Sequence, residues 1–139
     1  MNGFIVHIAV ICYMFNGDSS FFSTNYIGKP KAEIVKNMTE SFKTFKLNTS
    51  NINKTYNYLK YEDKIQEITV LFFLSDENKC KMVRYMSDYS NINDVLEEIN
   101  LKYSKIDTNN WKYNSNDKYY IVNLEQGDWF FTVTIKEMN

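Results

Sequence analysis

The chain has one histidine, one proline, two cysteines and four glycines in 139 residues. With His7 as the single histidine, there is no ready Ser-His or Cys-His pair. Acyl transfer needs a nucleophile, a base within hydrogen-bond reach and a group that orients the base. Cys12 and Cys80 lie far apart, and no CxxC or Cys/His cluster offers the donors of a structural zinc site. Gly3, Gly17, Gly28 and Gly127 make no phosphate-cradling loop. Asp76-x-Asn78 lacks the glycine and distal glutamate of a calcium loop. The adjacent carboxylates Glu62/Asp63 and Glu97/Glu98 point apart on a turn or helix and read as solvated faces, not as an acid–base pair. An excess of one charge is missing too: the formal net charge is −1, which gives no electrostatic case for nucleic acid. The expectation is a protein without catalysis, cofactor or metal.

Aromatic residues are abundant, with 11 Tyr, 10 Phe and 2 Trp making 17% of the chain. Pro30 and Glu33 suit the start of a helix. Ile34, Val35, Met38 and Phe42 then share one face at helical spacing, fading near Ser41. A second helix is predicted where Ile92, Val95, Leu96, Ile99 and Tyr103 recur, capped by Ser90 or Asn91. Strands are predicted at 55–61, 67–74 and 79–87, and again at 111–113, 119–124 and 129–136. The run 68–74 is apolar enough to be a central strand covered on both faces. In the last strand Trp129, Phe131, Val133 and Ile135 are expected to point inward. Cys80 reads as a small buried hydrophobe. The fold class that follows is α+β: an antiparallel sheet of about five to six strands with two helices on one face. The order suggests an internal α-βββ duplication.

Residues 4–15, FIVHIAVICYMF, carry no charge but fall short of the roughly twenty residues that span a bilayer. Their length matches the apolar core of a signal peptide, followed by the turn-rich Asn16–Ser20. No Lys or Arg precedes the run and no A-x-A site follows it. A buried strand or helix therefore stays open beside an export signal. Residues 1–22 are taken as a signal or anchor segment with its linker, and 23–139 as a single domain.

Tyr26-Ile27-Gly28-Lys29-Pro30 opening a helix, Leu71-Phe72-Phe73-Leu74 followed by Asn78-Lys79-Cys80, and Asp128-Trp129-Phe130-Phe131-Thr132-Val133 resemble a group of small bacterial envelope proteins. In architecture the chain is similar to the β-lactamase-inhibitor-protein and small outer-membrane assembly lipoprotein folds. The resemblance implies an exported protein of the cell envelope that acts by binding, with lipidation at Cys12, although Ala9-Val10-Ile11 is not the small-residue context expected before a lipidated cysteine.

Tyr and Trp serve binding surfaces well because they offer large area at low entropic cost. The candidate binding residues are Tyr56, Tyr58, Tyr61, Tyr85, Trp111, Tyr113 and Tyr119, together forming an aromatic sheet face for another protein or a cell-surface component. Two alternatives are a cytoplasmic interaction or inhibitor module, and a small-molecule or lipid carrier with a pocket lined by Met38, Met82 and Met86. Membrane contact is expected only through the N-terminal anchor.

Overall fold

A computed structural model describes residues 20–49 and 57–139. The expectations for His7, Cys12 and Tyr56 lie outside these residues. Among the described residues the chain is α+β, with two α-helices and one eight-stranded antiparallel sheet. The first half runs α1 (Lys31–Ser41), β1 (Lys46–Leu47), β2 (Tyr58–Asp63), β3 (Ile68–Leu74) and β4 (Cys80–Asp88). The second repeats the order with α2 (Ile92–Lys102), β5 (Ser104–Lys105), β6 (Asn110–Ser115), β7 (Lys118–Gln126) and β8 (Phe130–Glu137). In space the order is β1-β2-β3-β4-β8-β7-β6-β5, so the halves meet where β4 pairs antiparallel with β8.

The expected five to six strands become eight because each half carries a two-residue edge strand, β1 or β5. Both are exposed and polar or mixed in sequence, so no alternation announces them; pairing with β2 and β6 alone defines them. Such short edges also leave little unpaired backbone to recruit another strand.

Local chemistry sets the turns. Asn116 and Asp117 both have positive φ, the signature of a two-residue type I′ hairpin between β6 and β7. Gly28 adopts φ +86, a conformation that costs glycine little. Its N–H donates to the Cys80 carbonyl and Lys29 accepts from Cys80 N–H, pinning the entrance of α1 to the start of β4. Asp63 ends β2, and its carboxylate accepts from the backbone N–H groups of Ile65 and Gln66, both at 3.0 Å, and from Thr44 Oγ1 at 2.7 Å.

Ile34 and Met38 of α1 and Val95 and Ile99 of α2 join one core with alternate residues of the long strands: Tyr61, Val70, Phe72, Val83, Tyr85, Trp111, Val122, Phe131 and Val133. Phe21 sits among five rings, those of Phe22, Tyr26, Phe42, Phe72 and Tyr85. Both Phe21 and Phe22 are buried, so the core reaches back into the segment assigned to a linker ending at residue 22. Cys80 is buried as expected, at 2% exposure. No helix among the described residues is long and apolar enough to cross a membrane.

Candidate functional site

The two sheet faces differ. One carries the core, while the opposite face bears no helix among the described residues. Strand register orders its side chains into rows. One row reads Tyr58, Phe73, Met82, Lys136, Ile121, Lys112 across β2, β3, β4, β8, β7 and β6. The next reads Lys60, Leu71, Arg84, Thr134, Asn123, Asn110, and the third Glu62, Thr69, Met86, Thr132, Glu125. Asp88 faces Phe130 beyond it. Tyr58, Leu71, Phe73, Met82, Met86 and Ile121 are half-buried on this face.

Among the described residues strand β3 is therefore covered on one face, not two. Trp129 is likewise not inward: β8 begins at Phe130, and Trp129 stands in the preceding turn at 85% exposure. That turn closes by Gly127 N–H donating to the Phe130 carbonyl, which leaves Trp129 outside the ladder. Phe130 is 47% exposed beside it. Together with Met86, Thr69, Glu67 and Asp88 they border a groove of about 260 Å³.

The six described residues of the aromatic set singled out from sequence do not share a face. Tyr58 lies on the open face, its ring 6.1 Å from that of Phe73, and Tyr119 is exposed. Tyr61, Tyr85 and Trp111 are buried in the core. Tyr113, half-buried, stacks between Tyr103 and Tyr120 on the core side. These buried groups are anchored, with Trp111 Nε1 donating to Asn100 Oδ1 at 2.9 Å and Tyr113 Oη to Asn25 Oδ1 at 3.0 Å. Burial pushes the phenols of Tyr85 and Tyr113 well above their usual range, so they remain neutral. Tyr61 Oη is buried and has no hydrogen-bond partner among the described residues. Alternation could group residues of one strand, but it gave no sign of which side the helices would cover. The half-buried Phe73, Met82 and Met86, and the exposed Trp129, were missed as surface for that reason.

Arg84 sits 5.6 Å above the Phe73 ring, within cation–π range. Lys60 pairs with Glu62 at 3.2 Å, whereas among the described residues Arg84, Lys112 and Lys136 form no ion pair. Asp88 accepts from Ser90 N–H at 2.9 Å, and its hydrogen bonds with Ser90 hold its carboxyl below the usual range.

The three methionines expected around one pocket are separated: Met38 is core, while Met82 and Met86 lie on the open face. A different cleft, of about 520 Å³, opens between the end of α1 and the start of α2, lined by Phe21, Phe22, Phe42 and Phe45 with Asp94 and Glu98 at its margin. Among the described residues no three His, Cys, Asp or Glu side chains cluster to hold a metal. Searched against protein-family models, curated proteins and solved structures, the chain shows no match.

Proposed function

We propose that this chain is a non-enzymatic protein-binding module that works through its open sheet face. The observation that carries the reading is the continuous apolar surface of Tyr58, Leu71, Phe73, Met82 and Met86, extended by the exposed pair Trp129–Phe130. Aromatic and methionine side chains are enriched at interfaces, and contiguous apolar patches on a sheet face mark contact sites. The buried tyrosines support the same face indirectly, by filling the core behind it.

The test places a photo-crosslinking amino acid at Phe73 in cells that naturally make the protein, with Lys36 on the exposed side of α1 as control. A discrete adduct from position 73 and none from position 36 is expected. Equal labelling at both positions, or no adduct from position 73, refutes the reading.

A further inference from the structure

The open face is polarised along its strands. Lys136 and Lys112 occupy the row of Tyr58, Phe73 and Met82, and Arg84 the next one. Glu125 occupies the third row with Glu62, which already pairs with Lys60 of the second row, and Asp88 and Glu67 lie beyond it. Four residues separate the first and third rows on each strand, about 13 Å at the rise of an extended chain. The lysines of the first row thus lie farther from the acidic rows than a Debye length of about 8 Å at physiological salt, and each end presents its own field.

A partner carrying one sign of charge would match one end and oppose the other. A second copy matches both. We propose, building on the open-face reading, that the partner of this face is another copy of the same chain. Two open faces meet about a two-fold axis lying between them and crossing the strands. Such an axis reverses the order of the rows, setting Lys136 and Lys112 of each copy over the acidic end of the other. The contact is isologous, as expected of a closed dimer. An axis along the strands would instead stack acid on acid.

The dimensions suit this arrangement. Six strands at about 4.8 Å spacing and eight residues at about 3.3 Å rise give a face of about 24 by 23 Å, or roughly 550 Å² in projection. Side-chain relief raises the accessible area toward the roughly 800 Å² per partner of a standard stable interface. Leu71, Phe73, Met82 and Met86 supply the apolar centre, with charges toward the ends.

Sedimentation equilibrium of the full chain, at low and high salt, is the first measurement. A dimer that weakens as salt rises is expected. Two charge-reversed variants follow, Glu67→Lys/Glu125→Lys and Lys112→Glu/Lys136→Glu, with a thermal melt of each to establish that it is folded; all four side chains are exposed. Each variant alone loses the opposition between its ends, with Glu62 and Asp88 left beside two new lysines in one and Arg84 beside two new glutamates in the other. Each should associate at least about tenfold more weakly than the natural chain, since its attractive pairs are replaced by like-charge contacts. An equimolar mixture should recover the dimer, because each altered end then meets its complement. A natural chain that stays monomeric overturns the proposal, and so does a dimer indifferent to both variants. Two weakened variants that fail to rescue one another exclude the row-reversed arrangement. If the chain is monomeric while position 73 still crosslinks to a different protein, the open-face reading stands and the dimer alone fails.

Discussion

Replacing Asp63 should destabilise the fold in a way that depends on pH. Its carboxylate, 1% exposed, organises the turn between β2 and β3 and ties it to Thr44 in the segment joining α1 to β1. Burial opposes ionisation of this group. The hydrogen bonds from Gln66 N–H, Thr44 Oγ1 and Ile65 N–H outweigh it, and the carboxyl is held below its ordinary value of 3.8. Hydrogen bonds to a charged group contribute about 1.5–3 kcal/mol against about 0.5–1.5 for neutral ones. Asp63→Asn keeps an acceptor oxygen but removes the charge, and one amide N–H₂ now meets backbone donors. A loss of about 2 kcal/mol is expected near neutral pH. Asp63→Ala abandons all three donors, but the Ile65 and Gln66 N–H groups sit in an exposed turn where water replaces part of the loss, so about 2–3 kcal/mol is expected. Because the folded pKa is depressed, the stabilisation is fully present above the unfolded value and is lost as pH falls through the folded one. Urea unfolding of the natural chain and Asp63→Asn from pH 7 down to pH 2 should show a constant gap that narrows below about 3.8. A gap that stays unchanged to the lowest pH at which both fold would refute ionic stabilisation by this turn.

Phe21→Ala removes the ring at the centre of the aromatic cluster and should cost about 3–5 kcal/mol in chemical denaturation; a loss below 1 kcal/mol would place Phe21 outside the cooperative core. Tyr61→Phe deletes a buried hydroxyl that has no partner among the described residues and should leave stability unchanged or raise it by up to about 1 kcal/mol; a clear loss in a thermal melt would reveal a partner for that oxygen. Burial raises the Cys80 thiol to about 12, so in a Cys12→Ser background a thiol reagent at pH 8 should modify it only on unfolding, and rapid labelling of the native protein would contradict its placement. For the segment preceding the domain, intact mass and N-terminal sequence in each cell fraction should show a shortened chain outside the cytoplasm if residues 4–15 direct export; an intact Met1 chain confined to the cytoplasm would make that run part of the folded protein.

Local sequence determined much of the secondary structure. The three- and four-residue recurrence of Ile34, Met38, Val95 and Ile99 located both helices, and alternation located the six longer strands to within a few residues. These signals are legible because each arises among neighbours along the chain. Cys80 could be placed in the core by residue type, since free cysteine is usually buried; alternation groups it with Met82 and Met86, and a register shift between β3 and β4 carries it to the buried side. Which face of the sheet is buried could not be read this way, because period-two alternation divides Tyr58 from Leu59 and Phe72 from Phe73 without naming the side that receives the helices. Tertiary structure decided it by setting α1 and α2 against one face, turning Tyr61, Tyr85 and Trp111 into core. It also paired β4 with β8, strands far apart in sequence, and so joined the two halves into one sheet. The open face exists only through that pairing, since its rows draw Phe73, Met82 and Lys136 from separate segments whose adjacency no local pattern encodes.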